Sequence, residues 1–275
     1  MSTEKRDRGT VMSRIAEIVK KTFDNAASDY EKTRPAYVPQ IFEDIIKYKA
    51  VGKDSAVLEI GMGTGAAAKP FLQKGCQFTG LEPGKNLAEY ARDKFRGYDN
   101  FSLQEQSLQE YICEEERFDL VYAATAFHWI PEKYGYRRVY NLLKAGGAFA
   151  RFRYHAGSDK GRPALTEEIQ SLYRQYLQWE NPAVFTEADA KAIADLAANY
   201  GFTDTQYHLY HMTKDFRADE YLSLLRTYPD HMKLEAGLRS ALFDGIYQAI
   251  IRNGGTITVY YTMDLELARK PGCKN

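Results

Sequence analysis

The chain has 275 residues, 44% of them hydrophobic and 27% charged, which supplies ample material for a sizeable core and excludes a disordered polypeptide. Lys plus Arg number 37 and Asp plus Glu number 37, so the formal net charge is zero, and nucleic acid, which demands a net basic surface to neutralise phosphates, is not an expected partner. Cys76, Cys113 and Cys273 show no C-x-x-C spacing and have no histidine pair beside them, which argues against a disulfide framework or a zinc site.

The opening stretch, MSTEKRDRGTVMSRIAEIVKKTF, is basic but lacks the apolar core and small-residue cleavage site of a secretory signal. Val11, Ile15, Ile18 and Val19 recur at helical spacing and predict a short amphipathic helix lying on the body, a transit peptide being the alternative. The longest apolar stretch, Val121 to Ile130, is interrupted by Thr125 and His128 and is far shorter than the ~20 residues of a membrane span. A cytoplasmic protein with no membrane partner, monomeric or homodimeric, is expected.

From Ser55 onward, short apolar runs alternate with helical patterns. The predicted strands are Ala56 to Ile60, Gln77 to Leu81, Phe101 to Leu103, Phe118 to Ala123 and Ala148 to Phe152. Strand-then-helix alternation implies parallel strands with right-handed crossovers, hence an α/β sheet with helices on both faces, and ligands should gather at the carboxyl ends of the strands. Between Lys160 and Tyr200 the pattern turns wholly helical, with Thr186 and Asp189 spaced as a capping box before Ala190 to Leu196, and reads as an insertion. Asp204 to Met212 alternates tyrosines with polar groups, helices follow over Ala218 to Arg226 and Leu234 to Arg252, and Thr256 to Leu265 is a last strand. Alternation in these two late strands predicts an antiparallel pair partly facing water. The sum is a three-layer α/β sandwich around a mostly parallel sheet of about seven strands, with an antiparallel C-terminal hairpin and a helical insertion.

The strongest local signal is Val57-Leu58-Glu59-Ile60-Gly61-Met62-Gly63-Thr64-Gly65, an apolar strand ending in three glycines at alternate positions before a helical segment. Glycines at such a turn allow positive φ and close approach of a ligand to the backbone, although a purely structural tight turn has the same need. The dinucleotide fingerprint is G-x-G-x-x-G, with apolar residues before the first glycine, because pyrophosphate sits on the helix N-terminus. Here the spacing is G-x-G-x-G, and Glu59 brings an acid to the turn, which suits an ammonium group and repels a pyrophosphate. The next strand ends in Gly80-Leu81-Glu82-Pro83, and Glu82 stands about 20 residues beyond the first glycine, the separation of a ribose-binding acid. A solvated loop acid is the plainer reading of Glu82 taken alone; the pair of features is more specific than either.

The segments VLEIGMGTG, GLEP, FDLVYAATAFHWI and LLKAGGAFA together resemble successive motifs of the class I S-adenosylmethionine-dependent methyltransferases, and the likeness covers nearly the whole chain. FDNAASDYEKTRPAY, FHWI and VYYTMDLELARK are similar to the trans-aconitate methyltransferase-like branch. The resemblance implies a Rossmann-like fold, S-adenosylmethionine as cofactor with S-adenosylhomocysteine as product, and a small-molecule acceptor. Length and the order of the elements predict a single domain, with N-terminal helices and lid over 1–50, cofactor-binding core over 51–158, helical cap over 159–200, and C-terminal strands and helices over 201–275.

The resemblance further implies roles for individual residues. Tyr30 would set its ring or hydroxyl near the sulfonium and Arg34 would pair with the cofactor carboxylate. Glu59, Gly61, Met62, Gly63, Glu82 and Pro83 would form the cofactor seat. The acid that the family often places after the third strand is missing from Glu105-Gln106-Ser107-Leu108, so the Ser107 hydroxyl and the Leu108 backbone would serve the adenine, or Glu105 would substitute. Ala123 and Ala124 leave room for the methionine moiety. His128 would face the acceptor as base or hydrogen-bond donor and Trp129 as a wall, against the alternative of a structural histidine. Arg151 and Arg153 share one face of their strand by period two and would clamp a carboxylate acceptor, against the alternative of a solvated edge or internal salt bridge. Competing functions are a cofactor-binding regulator without turnover, a protein or RNA methyltransferase, and an NAD-dependent oxidoreductase.

Overall fold

The computed structural model describes residues 34–179 and 184–272. The predicted helix at Val11 to Val19, Tyr30 and Cys273 lie outside the described residues.

Helix α1 (Pro39–Tyr48) opens on a proline in its first turn, where the missing N–H costs nothing, and buries Ile41, Phe42 and Ile45 along one stripe. Strand β1 (Ala56–Ile60) buries Val57, Leu58, Glu59 and Ile60, the near-continuous burial of a strand covered on both faces. A short helix α2 (Lys69–Leu72) leads to β2 (Gln77–Leu81), α3 (Lys85–Phe95), β3 (Phe101–Gln104) and β4 (Phe118–Ala124). After a single 3₁₀ turn at Phe127–Trp129, α4 (Glu132–Leu142) buries Tyr136, Val139 and Leu142 and runs into β5 (Leu143–Gly157).

Strand β5 begins five residues before the predicted Ala148. Gly146, at φ +73, and Gly147, where a Cβ would stand 2.8 Å from the Lys144 carbonyl and 3.2 Å from that of Phe118, absorb a register shift between Phe118 and Leu120, an irregularity inside the strand. The segment predicted as wholly helical divides into α5 (Pro163–Leu177), stopped by a left-handed Gln178, and α6 (Glu187–Leu196), followed by a 3₁₀ turn over Ala197–Tyr200. The predicted capping box is present: Asp189 N–H donates to Thr186 Oγ1 at 3.3 Å and Thr186 N–H donates to Asp189 Oδ2 at 2.8 Å. Strand β6 (Thr203–Arg217), α7 (Ala218–Leu225), the short α8 (Pro229–Met232), α9 (Ala236–Arg252) and β7 (Thr256–Arg269) complete the chain.

Among the described residues seven strands form one sheet in the order β3-β2-β1-β4-β5-β7-β6. Strands β1 to β5 are parallel and the C-terminal strands antiparallel, as the alternation predicted. Strand β7 is nearly all buried over Tyr261 to Ala268, in contrast to the water-facing reading, because it lies between β5 and β6 and not at an edge.

The described residues gather into two compact units. One holds residues 36–156, 184–212 and 261–272, and with them β1 to β4, α1 to α4, α6 and most of the sheet. The other holds residues 34–35, 157–179 and 213–260, and with them α5, α7, α8 and α9. In the first, Leu58, Leu81, Val121, Tyr136, Leu142 and Phe149 form an apolar core, each large side chain contributing about 1.5–3 kcal/mol by leaving water. From β1 the chain steps outward to β2 and β3, then returns to β4 on the other flank of β1. The carboxyl ends of β1 and β4 therefore diverge, and this reversal is where open α/β sheets bind ligands.

Candidate active site

Two loops meet at that reversal. After β1, Gly61, Gly63 and Gly65 have φ of +67, +57 and +76, conformations that side chains with a Cβ rarely adopt. A Cβ on Gly61 would stand 2.6 Å from the Ala126 Cβ, so the glycine is what allows the turn after β1 to lie against the segment after β4. Around Gly63 the space is open, with no heavy atom within 4 Å of where a Cβ would be.

Glu82 ties this turn to the next strand. Its side chain is 6% exposed; Oε2 accepts from Gly63 N–H at 2.7 Å and Oε1 accepts from Gly84 N–H at 2.7 Å. Pro83 lies between the two bonded positions. Met62 is buried, its N–H donates to the Leu81 carbonyl at 2.9 Å, and its side chain covers Gly80.

Glu59 is 1% exposed, and Tyr122 of β4 donates its hydroxyl to Glu59 Oε2 at 2.8 Å. Burial pushes the Glu59 carboxyl up to about 8, with Glu82 adding to the rise while the Tyr122 hydrogen bond and Lys94 oppose it. The acid inside β1 thus stands beneath the turn with its carboxyl against a tyrosine.

The third loop is more open. Ser107 caps its own turn: its N–H and hydroxyl both donate to Glu110 Oε2, at 2.8 Å and 2.7 Å. Leu108 is buried in the apolar core, and Glu105 forms an exposed ion pair with Arg92 at 3.6 Å. Arg34 belongs to the other unit, where Nε donates to Thr227 Oγ1 and an Nη donates to the Thr227 carbonyl, both at 3.1 Å, with the guanidinium 4.5 Å over the Tyr228 ring.

Past β4, Ala123 is buried and Ala124 pairs with Phe152 of β5. Thr125 follows at φ +53, strained for a β-branched residue, and is held there from two sides. Its N–H donates to the Phe152 carbonyl at 2.7 Å, and its hydroxyl lies 2.9 Å from the Tyr37 hydroxyl. Tyr37 in turn packs edge-on against Phe152 and near Tyr154. This strain was not legible in the sequence; the signal that points to it is the threonine among small residues at a strand end.

The 3₁₀ turn then presents His128 and Trp129, whose rings lie 4.7 Å apart, with Trp129 46% exposed. His128 is at the surface as a residue, yet the packing around its ring, with the guanidiniums of Arg153 and Arg151, holds the imidazole below the ordinary histidine range. It is neutral at pH 7.

Arg151 and Arg153 do share one face of β5 but differ in engagement. Arg151 lies 3.5 Å from Glu266 Oε2, reaches the Tyr136 hydroxyl at 3.4 Å and covers the Phe127 ring at 5.4 Å. Arg153, half-buried, has no hydrogen bond or ion pair among the described residues, and Asp264 is the acid whose field acts on it. Two residues further along, His155 Nε2 lies 3.2 Å from Asp264 Oδ1, and its ring stacks on Phe185 with centroids 3.7 Å apart. Sequence reasoning missed His155, Asp264 and Glu266, which are distant in the chain and meet only because β7 lies beside β5. Among the described residues no group of three His, Cys, Asp or Glu is placed to hold a metal, and no helix is long and apolar enough to cross a membrane.

Comparison with known proteins agrees with this geometry. Residues 57–147 match the model of a family described as a methyltransferase domain, and the match spans β1 to the start of β5. An uncharacterized methyltransferase of Schizosaccharomyces pombe is 24% identical over 250 residues, covering 90% of this chain and 95% of its own. Among solved structures, the YcgJ protein from Bacillus subtilis aligns with a TM-score of 0.55 at 18% identity, over 84% of this chain and 98% of its own. A Haemonchus contortus phosphoethanolamine N-methyltransferase, solved with phosphomonomethylethanolamine and S-adenosylhomocysteine, aligns with a TM-score of 0.52 at 18% identity, over 90% of this chain and 57% of its own. The matched residues, 57–147, are the core that carries the glycine turn, and over that core the chain is similar to S-adenosylmethionine-dependent methyltransferases.

Proposed function

We propose that the protein transfers a methyl group from S-adenosylmethionine to an oxygen or nitrogen nucleophile of a small molecule. The observation that carries the cofactor assignment is Glu82, whose carboxylate draws the Gly63 and Gly84 N–H groups together at the point where the sheet order reverses. The open space over Gly63 and the small Ala123 and Ala124 side chains fit an adenosyl-methionine group.

Gly61, Met62 and Gly63 would pass the backbone close beneath the cofactor, Glu59 would give up its proton beside the cofactor ammonium and pair with it, and Glu82 with Pro83 would hold the ribose side. Ser107 and Leu108 would border the adenine. Tyr30 keeps the lid role that the family resemblance implies, and Arg34 that of partner to the cofactor carboxylate. Bound there, S-adenosylmethionine supplies an electrophilic methyl group on a good neutral leaving group. The protein's share is chiefly orientation, which is worth ~7–11 kcal/mol when a bimolecular step becomes intramolecular.

On the acceptor side, Trp129 walls the pocket and neutral His128 offers a hydrogen bond. Arg153 has no ion-pair partner among the described residues and suits an anionic group. An anionic group of the acceptor, such as the carboxylate that the trans-aconitate methyltransferase-like resemblance implies, would lie against it, with Arg151 beside it. Titration calorimetry with S-adenosylmethionine and with NAD tests the cofactor reading. Heat with the first and none with the second is expected, and the reverse refutes it.

A further inference from the structure

The acidic residues of β7 pose a physical question. Asp264 is 1% exposed and Glu266 4% exposed, and their side chains occupy the same face two residues apart. Burying carboxyl groups costs several kcal/mol each unless partners repay it, yet among the described residues Asp264 Oδ2 and both Glu266 oxygens accept no hydrogen bond, and Glu266 has Arg151 Nε at 3.5 Å from Oε2 as its ion-pair partner. Burial and the adjacent Asp264 push the Glu266 carboxyl up, so the proton of the pair rests there, whereas the contacts with His155 and Glu266, together with Arg151, hold Asp264 low against its own burial. The remaining buried carboxylate faces one imidazole nitrogen, His155 Nε2, at 3.2 Å. His155 Nδ1 has no partner among the described residues, and the ring is fixed by stacking on Phe185.

We infer that His155, oriented by Asp264, is a proton acceptor in the methyl-acceptor pocket, and that the molecule methylated carries a protic nucleophile, an amine or a hydroxyl. The inference rests on the methyl-transfer reading above. Asp264 takes the Nε2–H, which leaves Nδ1 with its lone pair outward, and the buried carboxylate stabilises the imidazolium that forms. The proton leaves the acceptor N–H or O–H for Nδ1. The acceptor's lone pair forms the new bond to the methyl carbon, and the carbon–sulfur bonding pair stays on sulfur.

Position agrees. Ala124 is the last residue of β4 to pair with β5, at Phe152, and β5 continues past it through Arg153 to His155 at the same carboxyl end as the glycine turn. His128 sits within the field of Arg153, Arg151, Asp264 and His155. His128, held low by the two arginines, is a poor base, whereas His155 meets a carboxylate. The charged groups around His155 are Asp264 and Glu266 on β7, Arg151 and Arg153 on β5, His128 on the 3₁₀ turn and Asp189 on α6. A carboxylate nucleophile has no proton to give up, so for such an acceptor this buried pair would have no purpose. Arg153 then receives an anionic group elsewhere on a protic molecule.

The test uses the full chain. In proton NMR of the S-adenosylhomocysteine complex, a downfield, slowly exchanging imidazole N–H is expected that disappears in H155Q and moves upfield in D264N; no such resonance in the unaltered protein overturns the dyad. In parallel, release of S-adenosylhomocysteine is followed with ethanolamine, phosphoethanolamine and catechol as protic probes and with succinate as a carboxylate probe. Methylation of at least one protic probe is expected, with kcat lowered about 100-fold or more in H155Q and KM little changed. Methylation of succinate alone, of no probe, or of a protic probe equally well by H155Q overturns it. Calorimetric binding of S-adenosylmethionine to the same variants separates the two readings: heat retained with turnover lost supports the base, and no heat even for the unaltered chain sinks the cofactor assignment instead.

Discussion

Tyr122 and Glu59 are register partners on neighbouring parallel strands, and the tyrosine hydroxyl donates to the glutamate Oε2 at 2.8 Å in a site from which both are excluded from water. The pair explains how an acid survives in the middle of a buried strand. It also links cofactor seat and stability, because the carboxyl is pushed up to about 8 by burial.

The folded chain therefore holds a proton on Glu59 that the unfolded chain releases from about 4.5 upward. Stability from this group is fully present below that value and is lost as pH rises through about 8. Glu59→Gln, which keeps an acceptor for Tyr122 and cannot ionise, should flatten the decline and stabilise the protein at pH 8 by on the order of a few kcal/mol. Chemical denaturation at pH 5 and pH 8 measures it; parallel pH dependence in both proteins would contradict the assignment.

Gly61 and Gly63 should respond differently to substitution. Gly61→Val meets Ala126 and a left-handed backbone together, and should cost on the order of 2–4 kcal/mol of stability along with cofactor binding. Gly63→Ala has room, so its stability cost should be near 1–2 kcal/mol of backbone strain, while its methyl group occupies the cofactor's approach and lowers affinity at least about tenfold. Thermal denaturation and calorimetry on the two variants separate folding from binding.

Glu82→Ala leaves the Gly63 and Gly84 N–H groups without their acceptor, a loss of about 1–3 kcal/mol for each that stays buried. S-adenosylmethionine binding should fall below detection. Glu82→Gln retains one carbonyl oxygen and should bind more weakly than the natural chain but measurably; equal affinity in all three proteins would remove Glu82 from the seat.

Arg151 and Arg153 make a further contrast. Arg151→Gln breaks contacts to Glu266, Tyr136 and the Phe127 ring and should lower stability by about 1–3 kcal/mol. Arg153→Gln breaks no such contact and should leave stability within about 0.5 kcal/mol while raising KM for an anionic acceptor. Either change removes a positive charge near His128, so NMR titration should find its imidazole pKa raised. An unmoved His128 titration would mean that the two guanidiniums do not shape the pocket's field.

The first two strands, Ala56 to Ile60 and Gln77 to Leu81, were predicted to the residue, because each is a short run closed by glycine or by Glu-Pro and is buried over nearly its whole length. The start of β5 was placed at Ala148, five residues late, because the irregularity at Gly146 and Gly147 breaks the apolar run inside the strand. Glu82 was visible through its spacing from Gly61, a local consequence of one strand-helix-strand unit. His155, Asp264 and Glu266 had no such spacing to betray them.

The sequence by itself determined the parallel core, the glycine turn and the acid that follows β2, since each depends on contacts within a few tens of residues. Only the tertiary structure decided that Glu59 rests on Tyr122, that Arg151 is occupied while Arg153 is not, and that His155 meets Asp264. Those relations depend on which strands become neighbours in the sheet, and strand order is set by packing the whole chain, not by any local pattern.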